Sequence, residues 1–214
     1  DGRQIEVQDF WFNSEGSYEW KYVQPQLSKV CKLYGEVKVV FENGKLKFKL
    51  ENYTPVEGIV HEVPIVGFQN TRINTLRLFE SRGLSNQKLK DLGLCDFIRN
   101  SEVNNRYHNH CKQITDVLYP RDDHHEGKLL RMKQEYFCAT IGLQNIIDEH
   151  MMKHNDIKSF HRYNVLHIND THMSWVIPEL MRILIDEFDL DWDNAWHITQ
   201  NSITYTNHTV LQEA

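Results

Sequence analysis

Residues 165–206 read VLHINDTHMSWVIPELMRILIDEFDLDWDNAWHITQNSITYT, a stretch that alternates between strand and helix patterns. VLHI at 165–168 is a short apolar run typical of a buried strand, and NDTH at 169–172 supplies its turn. SWVIPELMRILIDEF and LDWDNAWHIT follow as two helices, and the first has apolar residues at three- and four-residue spacing. ITYT at 203–206 returns as a second strand. This order predicts a crossover within a parallel sheet.

Two polar clusters follow these strands, one after each. They consist of Asn169, Asp170, Thr171 and His172, and of Asn207, His208 and Thr209. Ligands of open α/β sheets bind beyond the carboxyl ends of the strands, so two clusters at one sheet edge indicate a binding site. Each cluster also has an ordinary structural explanation. Asp170 and Thr171 are favourable helix N-cap residues, and His208 could be a hydrogen-bonded histidine of the core.

The first 80 residues are predicted to be rich in β-strands. YGEVKVVFENGKLKFKL, at 34–50, alternates apolar and charged residues around Asn43-Gly44, which is a strong signal for a β-hairpin turn. The apolar run Ile59–Phe68 is interrupted by Pro64, and this favours an edge strand. RINTLRLF at 72–79 predicts another strand.

The middle of the chain changes to a helical pattern. Ser101 is a plausible start for a helix that Pro120 ends. KLLRMKQEYFCATIGLQNIIDEH then predicts a long helix. Between the two helices lies RDDHHEG, at 121–127, which contains metal-ligand residue types. Adjacent side chains in a loop rarely converge on one ion, so the pattern favours a solvated acidic loop and we predict no metal there.

Composition excludes several classes of function. The chain has 214 residues and a net charge of −6 without a basic run, which argues against nucleic acid as a partner. No apolar run reaches the length of a membrane span, so we expect no membrane insertion. The four cysteines contain no CxxC pair, and their spacing favours reduced thiols in a cytoplasmic protein. Neither GxGxxG nor GxxxxGK[ST] occurs.

Four longer strings resemble the glycogen/starch/maltodextrin phosphorylase family. They are VLYPRDDHHEGKLLRMKQEYF (117–137), LHINDTHMSWVIPELMRILID (166–186), LDWDNAWHIT (190–199) and YTNHTVLQEA (205–214). The resemblance extends to INTLRL and the opening DGRQIE and covers nearly the whole chain. It implies an internal piece of the N-terminal, Rossmann-like half of a GT-B glycosyltransferase. Within that piece we expect a β-rich segment at 1–80, a helical segment with an active-site loop at 86–155 and an α/β segment at 156–214.

The resemblance also implies an activity and its partners. The full-length enzyme would transfer the terminal α-1,4-glucosyl unit of a glucan to inorganic phosphate and release glucose 1-phosphate, whereas the piece alone is expected to be inactive. The family uses pyridoxal 5'-phosphate, and its lysine would lie in a C-terminal half that this chain lacks. A homodimer is expected at full length. A non-catalytic glucan-binding module and a nucleotide-sugar glycosyltransferase of GT-B architecture remain alternatives.

The same resemblance implies substrate-binding and gating roles for individual residues. RDDHHEG is the mobile loop that gates sugar access, with Asp122 and Asp123 as hydrogen-bond acceptors. Residues expected to line the subsites for the remaining glucan are Tyr119, Arg131, Asp170, His172 and Glu213. His208 is expected to be the catalytic residue, which binds the transferred glucosyl unit and directs its backbone carbonyl at the reacting carbon, and Asn207 and Thr209 are expected to be substrate-binding residues. The chain departs from the family at His124 and His125, which replace an aromatic loop tip, and at Met173 and Gln212, where proline is usual.

Overall fold

The computed structural model describes residues 22–42, 45–69, 71, 73–117 and 120–210. Within these residues the chain is a mixed α/β protein that forms two compact units. The first unit combines the chain up to Cys31 with Pro55–Gln134, and the second combines Lys32–Thr54 with the chain from Glu135 onward. All four cysteines are free thiols. None of the helices in the described ranges has the length and apolarity required to cross a bilayer.

The described residues form eight strands and six helices. The strands are β1 (Tyr22–Val23), β2 (Lys29–Leu33), β3 (Glu36–Glu42), β4 (Lys45–Glu51), β5 (Thr54–Val66), β6 (Ile73–Arg82), β7 (Leu166–Asn169) and β8 (Ile203–Thr206). The helices are α1 (Asn86–Asp91), α2 (Ser101–Asp116), α3 (His125–His154), α4 (Phe160–Tyr163), α5 (Val176–Arg182) and α6 (Trp192–Ser202). Short 3₁₀ turns occur at Pro25–Leu27, Cys95–Ile98 and Ile157–Ser159, and a π-helical turn follows α5 at Ile183–Glu187.

The first unit is built on a four-stranded sheet with β5 at its centre. β6 pairs antiparallel along one side of β5, from Glu57 opposite Arg82 to Val66 opposite Ile73. β1 and β2 lie along the other side. The edge-strand prediction from Pro64 is therefore wrong. It failed because proline removes a donor only on the side that its nitrogen faces, and the described pairing with β1 involves only the neighbouring residues His61 and Glu62.

Helix α2 packs against β6 through buried polar contacts. The Ser81 hydroxyl donates to the Cys111 carbonyl at 2.7 Å. The Tyr107 hydroxyl donates to the Pro55 carbonyl at 2.8 Å and accepts from the Leu84 amide at 2.9 Å. The bonds of Tyr107 satisfy backbone groups at the ends of β5 and β6, and the bond of Ser81 joins β6 to a carbonyl of α2, so these side chains fix the helix on the sheet.

Helix α2 begins at Ser101, the start that the sequence predicts. The side chain of Asn100, not Ser101, caps the helix by accepting from the Val103 amide at 2.9 Å. Asparagine is as good an N-cap as serine, so the pattern could not separate two adjacent candidates. The helix ends at Asp116 and Val117 is extended, as expected ahead of Pro120.

The second unit contains the β3–β4 hairpin that the alternating sequence predicts. The strands pair antiparallel, with Val37 opposite Leu50, Val39 opposite Phe48 and Phe41 opposite Leu46. The Asn43-Gly44 turn itself lies outside the described residues. Much of the apolar face formed by these pairs is exposed to solvent. On the opposite face, Lys47 makes a 2.6 Å ion pair with Asp189.

The helices of the second unit surround one apolar core. Its members come from α3, the 3₁₀ turn at Ile157–Ser159, α4, α5, the π-helical turn and α6: Leu143, Ile147, Ile157, Phe160, Leu180, Met181, Ile183, Leu184, Ala195 and Ile198. The predicted long helix is present as α3, but it begins at His125, inside the heptapeptide that was predicted to be a loop. A glutamate in the first turn suits the positive end of the helix dipole, which explains why Glu126 is helical.

The crossover prediction is confirmed in this unit. β7 and β8 pair in parallel, with Leu166 opposite Ile203 and Asn169 opposite Thr206. The connection between them contains α5, the π-helical turn and α6. Ile168 is buried, whereas His167, Thr204 and Thr206 on the other face are exposed.

Each unit also buries one glutamate within a set of donors. In the first unit, the Glu57 carboxylate accepts from Arg82 Nε at 2.8 Å and from the Lys88 ammonium group. Burial alone would raise the pKa of Glu57, but the hydrogen bonds and charges of Arg82 and Lys88 prevail and hold that pKa below its ordinary value. In the second unit, Glu179 accepts from Thr140 Oγ1 at 2.7 Å and Tyr136 Oη at 3.0 Å.

Arg182 completes the set around Glu179. Its Nε and Nη2 atoms donate to the two carboxylate oxygens, each at 2.9 Å, and Nη2 also lies 3.0 Å from Glu187 Oε1. Both oxygens of Glu179 therefore have two donors. A buried carboxylate held in this way costs little while every partner remains, and much when one partner is removed.

The first prediction concerns acid stability of the first unit. Because the folded pKa of Glu57 is depressed, its stabilising contribution is present above the unfolded pKa of about 4.3 and is lost as pH falls through the folded pKa. Hydrogen exchange of the β5 and β6 amides, followed from neutral to acid pH, should show this loss. Glu57→Gln should be less protected at neutral pH and should lose less on acidification. An unchanged acid dependence in the variant would contradict the assignment.

The second prediction concerns Glu179. Glu179→Ala should lower the free energy of unfolding by about 3–5 kcal/mol, because it removes the buried carboxylate that accepts from Arg182 and from two hydroxyl groups, and it leaves Arg182 with the exposed Glu187. Glu187→Ala is the matched control, since its exposed ion pair with Arg182 should contribute less than about 1 kcal/mol. Urea denaturation of both variants measures the difference. Equal losses of unfolding free energy in the two variants would show that the burial of Glu179 does not increase its contribution to stability.

Candidate functional site

The carboxyl ends of β7 and β8 lie side by side in the second unit. Because the strands are parallel, the turns that follow them leave the sheet at the same edge. The ladder continues one step past the strands, where the Asp170 amide donates to the Thr206 carbonyl at 2.9 Å. The two polar clusters identified in the sequence are thus brought together.

Asp170 links the two turns. Its Oδ1 atom accepts the backbone N–H of His208 at 2.6 Å. Its φ is +56°, in the left-handed region that aspartate tolerates better than most residues. One residue therefore turns the chain after β7 and anchors the chain after β8.

The helix-capping explanation for Asp170 and Thr171 is wrong. The first residue of α5 is Val176, Trp175 occupies the cap position, and no side chain caps this helix. The residues between form a succession of turns, in which the Ser174 amide donates to the Thr171 carbonyl at 3.1 Å. Since α5 starts several residues after the cluster, the Asp170 carboxylate is available to the β8 turn instead.

His208 is exposed, so it is not a histidine of the core. Its Nε2 atom lies 2.8 Å from the Thr206 hydroxyl. The adjacent Asn207 stabilises the turn by accepting the Thr209 amide on Oδ1 at 3.0 Å. His208 is therefore held by its backbone to Asp170 and by its ring to Thr206, with the rest of the imidazole open to solvent.

His172 is half-buried at the end of the first cluster. Its Nδ1 atom lies 3.4 Å from Glu135 Oε1 on α3. The two groups form an ion pair only when the imidazole is protonated. A histidine and a carboxylate at this separation offer both a donor and an acceptor to a polar ligand.

The heptapeptide lies in the first unit and forms a compact turn that continues into the first three residues of α3. Arg121 Nη2 pairs with Asp123 Oδ2 at 2.5 Å, and the Gly127 amide donates to His124 Nδ1 at 3.0 Å. The Glu126 backbone N–H at the helix start, and then the neighbouring histidines, hold the pKa of Glu126 below its ordinary value. Asp122 and Asp123 remain exposed. No group of three or more potential metal ligands occurs among the described residues.

Gly127 was missed by the sequence reasoning. A Cβ atom at this position would lie 1.6 Å from the Arg121 carbonyl oxygen, so only glycine allows the turn to fold back on the helix. The available signal was a glycine in the first turn of a helix, where it is otherwise unfavourable.

The structure distributes the proposed site residues over both units. Asp170, His172, Asn207, His208 and Thr209 lie in the second unit at the β7–β8 edge. The first unit contains Asp122, Asp123 and Arg131, and Arg131 is half-buried on α3.

Tyr119 and Glu213 lie outside the described residues. Sequence reasoning also missed His167, Thr204 and Thr206, although their alternation with Ile168 and Tyr205 marks one polar strand face.

A third prediction tests the anchor that joins the turns. Asp170→Ala removes the acceptor for the His208 amide. It also places alanine at a left-handed backbone position, where the steric strain costs about 1–2 kcal/mol. Asp170→Gly removes the same acceptor without that strain. Hydrogen exchange of the His208 amide should accelerate in both variants, whereas the thermal midpoint should fall further for alanine. Asp170→Asn should retain protection, and exchange equal to that of alanine would contradict the anchor.

Comparison with known proteins identifies relatives along the whole chain. The family model described as carbohydrate phosphorylase matches residues 1–214. Glycogen phosphorylase of Bacillus subtilis is 34% identical over 214 residues, covering 100% of this chain and 25% of the relative.

Two eukaryotic relatives agree. Glycogen phosphorylase 2 of Dictyostelium discoideum is 37% identical over 215 residues, and the liver form of Bos taurus is 36% identical over 222 residues. Both cover 100% of this chain but only 21% and 25% of their own lengths. The chain thus spans about a quarter of the length of the curated relatives that it matches, and it belongs to the carbohydrate phosphorylase family.

Proposed function

We propose that the complete protein is an α-glucan phosphorylase. It transfers the terminal α-1,4-glucosyl unit of glycogen, starch or maltodextrin to inorganic phosphate and forms glucose 1-phosphate. The observation that carries this proposal is the β7–β8 edge, where Asp170 holds the His208 turn, in a chain that the phosphorylase family matches throughout. The names of the relatives, which are glycogen phosphorylases, support the choice of substrate.

The described residues supply groups suited to a sugar. Hydroxyl-rich ligands need many short-range donors and acceptors, and this edge presents an imidazole, an amide, a hydroxyl and a carboxylate close together. We assign His208, Asn207 and Thr209 to the transferred glucosyl unit. We assign Asp170, His172, Arg131, Tyr119 and Glu213 to the remaining glucan. Charge-assisted hydrogen bonds from such groups are stronger than neutral ones.

The turn before α3 is assigned to gating. Asp122 and Asp123 are exposed acceptors on a segment that is anchored at its base by Gly127 and His124. An anchored base with polar residues at the tip suits a loop that contacts sugar hydroxyls when a glucan enters. His124 and His125 replace the aromatic tip of other family members, so this loop would bind hydroxyls without a stacking ring.

The role proposed for His208 is electrostatic as well as geometric. The side chain positions a hydroxyl of the glucosyl unit. Its backbone carbonyl faces the reacting carbon, where positive charge develops. A dipole aimed at charge that appears only in the transition state raises kcat, because it stabilises that state more than the bound substrate. His208 is therefore a positioning and stabilising group rather than a general base.

The finer architecture and the cofactor belong to the same proposal. We place the chain in the N-terminal Rossmann-like half of a GT-B enzyme that acts in the cytoplasm as a homodimer and uses pyridoxal 5'-phosphate. A Schiff-base lysine requires an enclosed pocket, and no lysine whose burial the structure describes is buried. These residues do not fit the cofactor, and no step is assigned through it.

The activity is tested with the complete protein, maltoheptaose and inorganic phosphate. Glucose 1-phosphate should form only when phosphate is present, and the glucan should shorten by single units. Transfer of glucose from a nucleotide sugar without phosphate would support the glycosyltransferase alternative. Glucan binding without either product would support a non-catalytic module.

The fourth prediction concerns His208 in that assay. His208→Ala should lose about 2–4 kcal/mol of transition-state stabilisation, measured as kcat/KM for phosphorolysis, by analogy with removal of one preorganised donor. His208→Asn retains a polar group and should lose less. His197→Ala is the control, because His197 is an exposed histidine on α6 outside the site. If both His208 variants stay within about threefold of wild type, well under 1 kcal/mol, the proposed role is wrong.

A further inference from the structure

One face of the β7–β8 pair carries an unusual row of polar side chains. His167 stands opposite Thr204 and Asn169 stands opposite Thr206, and all four lie on the same face because side chains alternate along a strand. Parallel strands are ordinarily apolar on both faces. Here only the opposite face, which includes buried Ile168, follows that rule. The polar face leads directly to His208, two residues beyond Thr206.

The Thr206 hydroxyl is the centre of this row. Its Oγ1 atom lies 3.0 Å from Asn169 Oδ1, 2.9 Å from His167 Nε2 and 2.8 Å from His208 Nε2. A hydroxyl has one proton and two lone pairs, so three partners use its full hydrogen-bonding capacity. No position remains on Oγ1 for a water molecule or a ligand.

Counting protons assigns each bond. Asn169 Oδ1 can only accept, so it takes the single hydroxyl proton of Thr206. Both histidines must then donate to Oγ1 from Nε2–H. In neutral His167 the other nitrogen, Nδ1, is an acceptor, and it lies 2.8 Å from the Thr204 hydroxyl, which can donate to it.

The same count leaves one nitrogen of His208 for a ligand. With its proton on Nε2, neutral His208 carries an unprotonated Nδ1, and no residue of the described chain hydrogen-bonds that atom. A sugar hydroxyl is the complementary donor. Because His208 is exposed, packing does not fix its ring, and the bond to Thr206 is the contact that sets its direction.

We infer that Thr206 is a positioning residue for His208, supported by Asn169 and His167, and that it presents Nδ1 of His208 as an acceptor for a hydroxyl of the glucosyl unit. The inference rests on the proposed function for the identity of the ligand. The placement of a proton on Nε2 of each imidazole does not rest on it, since that placement follows from the hydrogen bonds around Thr206.

Nuclear magnetic resonance of the complete protein, labelled with ¹⁵N in histidine, tests the protonation pattern directly. Long-range ¹H–¹⁵N correlations should show the proton on Nε2 in both His167 and His208, and substitution of each histidine by glutamine assigns the signals. A neutral ring with its single proton on Nδ1 would overturn the inference, because Nε2 would then be an acceptor and the Thr206 hydroxyl would have to donate to it.

Thr206→Val tests the consequence for catalysis. Valine has nearly the shape of threonine but lacks the hydroxyl, so the His208 ring should lose its fixed tautomer. The kcat/KM for phosphorolysis should fall roughly three- to tenfold, the effect of one neutral hydrogen bond. Thr206→Ser keeps the hydroxyl and should restore both the tautomer and the activity. Thr204→Val, which removes only the bond to the far nitrogen of His167, should have a smaller effect.

These outcomes separate the inference from the proposed function. If Thr206→Val leaves the His208 tautomer and kcat/KM unchanged, Thr206 is not a positioning residue. If the tautomer changes and Thr206→Ser restores it, but His208→Ala retains full activity, Thr206 positions the ring and the assignment of His208 to the sugar is wrong. Should the valine variant fail to fold, the tautomers of the wild type and of Thr206→Ser still decide the matter.

Discussion

Parallel pairing of β7 with β8 is the constraint on which the second unit depends. Parallel strands cannot be joined by a tight hairpin, so the chain must cross over between them. It does so through α5, a π-helical turn and α6, whose apolar residues enter the core of the unit. The same pairing brings two polar turns to one edge. A slip of one residue in either strand would exchange Ile168 or Thr206 between core and solvent, so one register determines both the core and the site.

Each unit can bury a carboxylate because neighbouring strands and helices supply hydrogen-bond donors to that carboxylate. Glu57 on β5 is reached by Arg82 from the paired strand and Lys88 from α1. Glu179 on α5 is reached by Tyr136 and Thr140 from α3. A charge removed from water is rarely a net source of stability compared with an apolar residue of the same volume. Its effect is to make any other arrangement of these elements costly.

Local patterns predicted most elements, and they failed where partners distant in sequence decide the outcome. Alternation and Asn43-Gly44 predicted the β3–β4 hairpin, and the apolar runs at 165–168 and 203–206 predicted β7 and β8. The edge-strand prediction from Pro64 was wrong, because the missing N–H of a proline excludes a neighbouring strand only where that strand would have to accept a hydrogen bond from it. The β7–β8 edge followed from topology. The hydrogen bonds around Thr206 did not, since they depend on the register between two strands far apart in the chain.

Gly127 has a consequence for how this family can vary its chemistry. The turn that precedes α3 is held at its base by backbone atoms, with the Arg121 carbonyl lodged where any side chain would collide. Backbone contacts are indifferent to residue type. Substitutions at the exposed positions 122 and 123 therefore alter the charge and shape of the tip with little effect on this support, whereas a side chain at position 127 would collide with the Arg121 carbonyl. Acidic, aromatic or imidazole side chains can therefore replace one another at the tip of the turn while the backbone at its base stays the same.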